Sequence, residues 1–163
     1  MPKYSLGVDF GTLSGRAVLV DISNGEEKAQ AVYDYQKGVI EEKLPNDWAL
    51  QDPQDYLETL KRTIPEIMNT SGIKPEDVIG IGIDFTSCTI LPTKADGTPL
   101  CFLREWRANP HSWVKLWKHH AAQEEATLLK NLAAGNNSAF IKRQGGEISS
   151  ERVFPHGLPL LTE

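Results

Sequence analysis

Leu6-Gly7-Val8-Asp9-Phe10-Gly11-Thr12-Leu13-Ser14-Gly15-Arg16-Ala17 is the stretch that decides the fold. An apolar run over residues 4–8 leads into an acid, then a glycine and two hydroxyl residues, and a second apolar run over 17–20 leads out. The pattern predicts strand, tight turn, strand. Gly11 allows backbone angles that a side chain forbids, and consecutive N–H groups in such a turn form a concave anion site. Thr12 and Ser14 add hydroxyl donors, and Arg16 adds a fixed positive charge. Asp9 repels phosphate but can hold Mg²⁺ through water. The Gly-Lys-Ser/Thr ending of a P-loop is missing, and Gly7 and Gly11 are wrongly spaced for a dinucleotide fingerprint. A hairpin whose Gly and Ser only make the turn is the simpler alternative. The full pattern Asp-x-Gly-Thr-x-Ser-x-Arg at the end of a first strand favours phosphate.

The rest of the composition fits a globular domain. The chain has 163 residues, 40% hydrophobic and 24% charged, which excludes a disordered or membrane-embedded class. Its formal charge of −5 argues against nucleic acid as a partner but not against ATP, which needs only a local positive site. No stretch approaches the roughly 20 apolar residues of a membrane helix. The N-terminus enters a strand at once, so no signal peptide and a cytoplasmic location are expected. Cys88 and Cys101 lack metal-ligand spacing and are expected to be reduced.

Residues 4–9, 15–22 and 28–37 read as three antiparallel strands joined by short turns. Residues 38–52 are irregular, and Trp48 reads as a cap on the core edge. Asp52-Pro53 starts a helix as N-cap and first-turn residue. Tyr56, Leu57, Leu60, Ile64, Ile67 and Met68 form its apolar stripe and Gly72 ends it, while Pro65 should kink or break it. Residues 78–83 are a continuous apolar run after a long crossover, which reads as a buried parallel strand. Asp84, Phe85, Thr86, Ser87 and Cys88 follow at its carboxyl end, where parallel strands present ligand-binding residues. Residues 89–92 and 100–103 read as a strand pair around the Asp96-Gly97 turn. Trp113, Leu116 and Trp117 follow at near-helical spacing. Trp113 and Trp117 could both be core, and His119 and His120 a solvated helix turn. Residues 123–134 read as a helix ending at Gly135, Asn136-Asn137-Ser138 as a loop, and Gly145-Gly146 as a turn. In 152–159, two prolines and a glycine oppose a helix.

The Asp9 to Arg16 motif resembles the first phosphate motif of the FGGY carbohydrate kinase family, in the actin, hexokinase and Hsp70 superfamily. Gly-Ile-Asp-Phe-Thr-Ser-Cys-Thr (82–89), Leu-Trp-Lys-His-His-Ala (116–121) and Gly-Gly-x-Ile-Ser-Ser-Glu (145–151) are similar to its ribulokinase-like branch. The resemblance covers residues 3–151 and degrades after that.

The resemblance implies an α/β, ribonuclease H-like mixed sheet with flanking helices, forming part of a first lobe over 1–151, with a divergent tail at 152–163. It implies ATP-dependent phosphorylation of ribulose to ribulose 5-phosphate, as in arabinose catabolism, with xylulokinase-type or glycerol kinase-type activity, or a non-catalytic sugar-binding module, as alternatives. It places ATP phosphates at Asp9, Gly11, Thr12, Leu13, Ser14 and Arg16, with Mg²⁺ at Asp9 through water. It implies sugar contacts at Thr86, Ser87, Cys88, Trp117 and Lys118, with the Trp117 ring packed on sugar C–H groups, and it places residues 38–52 near the sugar cleft, so that Trp48 lines the site as the alternative to capping the core edge. The family's adenine pocket, second phosphate motif and catalytic base lie beyond position 163, so the isolated chain is expected to be catalytically crippled. An uncovered sheet edge could pair copies into a homo-oligomer.

Overall fold

The structure is a computed structural model, and it describes residues 2–136, 139–143 and 145–157. In chain order its elements are β1 (Tyr4–Phe10), β2 (Ser14–Asp21), β3 (Glu27–Asp34), β4 (Leu50–Gln51), α1 (Pro53–Ser71), β5 (Val78–Phe85), β6 (Val114–Lys115), α2 (Gln123–Gly135), α3 (Ala139–Arg143) and α4 (Val153–Gly157). The chain divides into two compact units. One comprises Met1–Val39 and Asp52–Thr86, the other Ile40–Gln51 and Ser87–Glu163.

The first unit is a four-stranded sheet in the order β3-β2-β1-β5. β1 runs antiparallel to β2 and parallel to β5. Alternation decides which face is covered. Tyr4, Leu6, Val8 and Phe10 point into the core with Ala17 and Leu19, and Ile67 of α1 packs onto them. Ser5, Gly7 and Asp9 occupy the other face.

α1 starts where Asp52 and Pro53 predict. The Asp52 carboxylate accepts the Gln54 N–H, and Gly72 ends the helix at φ 66°. Two expectations fail here. Pro65 does not break the helix, which runs unbroken from Pro53 to Ser71. Pro65 and Lys61 are both exposed, so the Lys61 carbonyl that loses its N–H partner faces water. Of the expected stripe, Tyr56, Leu60, Ile64, Ile67 and Met68 pack in or against the core, but Leu57 does not. Thr59 and Thr63 are fully buried, with their hydroxyls returned to the Asp55 and Thr59 carbonyls, while Leu57 is exposed.

β5 is parallel as expected, but it is not buried. It is the edge strand, and Ile79, Ile81, Ile83 and Phe85 are all more than half exposed. A continuous apolar run signals contact on both faces only when the strand sits inside its sheet. Position in the sheet is a tertiary property that the run itself does not encode.

In the second unit β4 pairs with β6, and Ile90 bridges to Lys115. The expected pairing of 89–92 with 100–103 survives only beside the turn, where Thr93 bridges Pro99 and the Leu100 N–H donates to the Pro92 carbonyl at 3.0 Å, because Leu100–Phe102 forms a 3-10 turn instead of a strand. The Asp96-Gly97 turn is present, with Gly97 at φ 83° and the Thr98 N–H bonded to the Asp96 carboxylate. α2 matches its expected span. Gly145 and Gly146, at φ 80° and 89°, form the expected turn. Of the expected loop 136–138, residues 137 and 138 lie outside the described residues. α4 contradicts the expectation that the prolines and glycine of 152–159 oppose a helix, and residues 158 and 159 of that run lie outside the described residues. In α4 Pro155 is the third helical residue, where no intrahelical N–H bond is required. Cys88 and Cys101 are not joined by a disulfide. No described helix is long and apolar enough to cross a membrane.

Candidate functional site

The β1–β2 connection is a turn closed by the Gly11 N–H, which donates to the Ser14 carbonyl at 2.9 Å. Gly11 is needed for space, not for a left-handed angle. It lacks a positive φ, and a Cβ there would stand 2.9 Å from the Ser14 oxygen. That corrects the sequence reading of this glycine. It also commits the Gly11 N–H to the turn instead of to an anion.

The turn exposes Leu13 and half-exposes Thr12 and Ser14. Asp9 and Arg16 are paired positions in the β1–β2 ladder, both exposed on the face away from α1. In the parallel ladder Asp9 pairs with Asp84. The exposed face thus carries Asp84, Asp9 and Arg16 in a row across three neighbouring strands. An exposed carboxylate beside a guanidinium suits a hydrated divalent cation next to a phosphate.

The turn is buttressed from below. Phe10 stacks on Phe85 at 4.6 Å and meets the edge of Tyr56 at 5.5 Å. Burial drives the Tyr35 and Tyr56 phenols well above their ordinary range, so both are neutral packing groups. Gly15 is buried against α1, where an added Cβ would lie 2.3 Å from Thr59 Oγ1. Thr86 continues the β1–β5 pairing by donating its N–H to the Phe10 carbonyl at 3.3 Å.

The remaining predicted residues belong to the second unit. Ser87 is exposed, and its Oγ lies 3.6 Å from Cys88 Sγ. Cys88 adopts φ 60° and lines a cavity of about 580 Å³ with Leu129, Leu132, Ile148, Val153 and Phe154. Its walls are largely apolar, with Asn136 and Arg152 as polar members. Trp117 is 41% exposed, which removes the reading of it as core. The Lys118 ammonium is bound to Glu41 at 2.6 Å.

His119 and His120 are not a solvated helix turn. His119 is buried, accepts the Ala49 N–H on Nδ1 at 3.2 Å, and meets the Trp48 ring edge at 4.8 Å. Burial first, then the charges of Lys115, His156 and His111, push its pKa down to about 3. His120 stays on the surface, 3.5 Å from Glu151. Trp48, which the sequence left between two roles, packs against His111 and His119.

Among the buried polar groups that sequence reading missed, Asp55, Lys115 and His156 are ionisable. Asp55 was hidden by its place in an apolar helix, although an acid three residues after an N-cap is a recognisable helix-start signal. Lys115 is buried with its Nζ 3.3 Å from His111 Nδ1. His156 is buried and donates from Nε2 to the His119 carbonyl at 2.6 Å. Nothing in the local sequence signals the last two.

Residues 4–151 match the FGGY family of carbohydrate kinases, N-terminal domain. The chain is 54% identical to the ribulokinase of Halalkalibacterium halodurans and 56% identical to that of Geobacillus thermodenitrificans. Each match covers 99% of this chain and 30% of the relative. The chain therefore spans about 30% of the length of the curated relatives it matches. Among solved structures, a xyloylose kinase from Brucella ovis aligns at TM-score 0.77 and 19% identity, over 98% of this chain and 29% of that one. Plasmodium falciparum glycerol kinase with ADP aligns at TM-score 0.72 and 15% identity, over 99% of this chain and 29% of that one. At these identities the likeness shows a shared fold, the mixed sheet with flanking helices of the sugar kinases.

Proposed function

Because the chain belongs to the FGGY family of carbohydrate kinases, we propose that it supplies the first phosphate-binding turn and part of the sugar wall of a ribulokinase-type enzyme. The reaction moves the γ-phosphoryl group of ATP to a ribulose hydroxyl oxygen. The hydroxyl oxygen bonds to the γ-phosphorus and releases its proton as the bond to the β–γ bridging oxygen breaks, giving ribulose 5-phosphate, ADP and a proton. One observation carries the reading. Asp9 and Arg16 face each other on the exposed side of the β1–β2 ladder, directly after a turn bearing Thr12 and Ser14.

In this proposal Arg16 and the hydroxyls of Thr12 and Ser14 hold the polyphosphate, with the backbone of Gly11 and Leu13 shaping the turn. Phosphoryl transfer depends chiefly on such positioning and charge neutralisation. Mg²⁺, when bound, neutralises charge on the phosphate oxygens, and Asp9 would hold it through water. Trp117 packs on the sugar, while Thr86, Ser87 and Cys88 contribute the strand-end side of its pocket. Lys118 reaches a sugar hydroxyl only by exchanging its Glu41 partner. Residues 1–151 form the family domain in this scheme and 152–163 a divergent continuation. A cytoplasmic location and association of copies along the exposed β5 edge belong to the same proposal.

The test is an ADP-release assay, with parallel equilibrium binding, on the purified chain. It uses Mg·ATP and L-ribulose, D-ribulose, ribitol, D-xylulose or glycerol. Saturable binding of Mg·ATP and preference for a ribulose support the proposal. Preference for xylulose or glycerol moves the chain to another branch. A folded chain that binds neither Mg·ATP nor any of these sugars contradicts it.

A further inference from the structure

Asp55 has no part in the reading above, yet it is a carboxylate only 5% exposed, in the first turn of α1. Its Oδ1 accepts the Gln36 N–H at 3.2 Å and the Tyr33 hydroxyl at 3.5 Å, and its Oδ2 accepts the Lys37 N–H at 3.4 Å. All three partners lie at the end of β3 or just beyond it. A charged acceptor holding two backbone N–H groups fixes that backbone more firmly than neutral partners would. Asp55 therefore ties the chain at residues 36–37 to the start of α1.

That tie reaches the phosphate turn. Between Tyr33 and Gln36 lies Tyr35, whose N–H donates at 2.9 Å to the carbonyl of Leu13, the exposed residue of the turn. Gly38, at φ 53°, brings the same segment to 3.7 Å from the Leu13 side chain, measured from its ideal Cβ position. On the opposite flank, Thr59 follows Asp55 by one helical turn. It bonds the Asp55 carbonyl at 3.0 Å and fills the space beside Gly15. The rings of Tyr35 and Tyr56 then connect to Phe10, next to Asp9. The first two turns of α1 thus support the turn residues from both ends, and Asp55 is the buried carboxylate there that holds the backbone of residues 36–37.

We propose that Asp55 is a positioning residue for the phosphate turn, acting through the Tyr35 N–H on the Leu13 carbonyl and so on polyphosphate affinity. The proposal rests on the phosphate reading of that turn.

The test compares the full 163-residue chain with Asp55→Asn, Asp55→Glu and Ile67→Val. Ile67→Val loosens the buried end of the same helix away from the turn. Three quantities are read at a temperature where circular dichroism shows each variant folded. They are melting temperature, hydrogen exchange at the Tyr35 amide, and affinity for the non-hydrolysable Mg·AMP-PNP. Asp55→Asn is expected to speed Tyr35 exchange and weaken Mg·AMP-PNP by about tenfold each, the scale of one charge-assisted hydrogen bond. Ile67→Val is expected to lower the melting temperature and leave affinity within about twofold. Asp55→Glu keeps the charge at the helix start but sets the carboxylate farther out. It should recover stability more fully than affinity, and it carries the test if Asp55→Asn does not fold. Unchanged Tyr35 exchange or unchanged affinity in Asp55→Asn overturns the proposal. So does an equal affinity loss in Ile67→Val, or equal recovery of stability and affinity in Asp55→Glu. Failure of the phosphate reading shows separately, as no Mg·AMP-PNP binding by the unaltered chain, while Tyr35 exchange still reports the structural tie.

Discussion

Asp9 and Arg16 are cross-strand partners at the mouth of the β1–β2 turn, and both side chains are exposed on the sheet face that α1 leaves open. Opposite charges in paired positions would normally be read as a small contribution to sheet stability. Next to a turn bearing two hydroxyls, the proposal gives them a second use, with Arg16 on phosphate and Asp9 on its counter-cation.

Arg16→Ala should therefore weaken Mg·ATP binding far more than it weakens the fold. Losing a charge-assisted hydrogen bond of about 1.5–3 kcal/mol corresponds to a loss of roughly tenfold to 150-fold in affinity. The exposed substitution should change stability by under about 0.5 kcal/mol. Arg16→Lys should recover only part of the affinity, because a point charge does not replace a planar fork. Calorimetric titration alongside urea denaturation separates the two effects.

Gly15→Ala should destabilise the first unit by about 1–3 kcal/mol, because the new methyl would fall 2.3 Å from Thr59 Oγ1 and 2.4 Å from its Cγ2. Thr59→Ala in the same chain should relieve part of that loss. A double-mutant cycle in urea would then show clear non-additivity. Strict additivity would mean that the helix simply moves aside.

Acid should destabilise the second unit. His119 titrates near 3 in the folded chain, well below its ordinary value, and burial also lowers His156. The unfolded chain then binds more protons than the folded one below about pH 6.5. Stability is fully present above that pH and falls as pH drops toward about 3. His119 alone should cost about 2 kcal/mol by pH 5. His119→Asn, which keeps an acceptor for the Ala49 N–H, should flatten the decline in denaturation midpoints measured from pH 7.5 to 5.

Local chemistry was what the sequence made legible. The strand–turn–strand motif, the Asp52 cap, the Gly72 stop and the Asp96-Gly97 turn each depend on residues within four positions of one another. What it concealed depends on distant partners. The apolar pattern of β5 cannot say that the strand is an edge. Leu57 looks like core until the Thr59 and Thr63 hydroxyls are seen bonded back to their own helix. Residues 100–103 have strand-like composition, but residue 90 finds Lys115 instead. In the candidate site, the residues proposed for phosphate could be picked out because they form one contiguous motif. Asp55 could not, because its effect passes through a backbone some twenty residues away in sequence.

The most direct measurement is a backbone-amide NMR titration of the 163-residue chain with Mg·ATP. Saturable shifts centred on residues 11–16, lost without Mg²⁺ and lost in Arg16→Ala, are the predicted result. Shifts that never saturate, or that saturate elsewhere while residues 11–16 stay still, would contradict the assignment of this turn to phosphate.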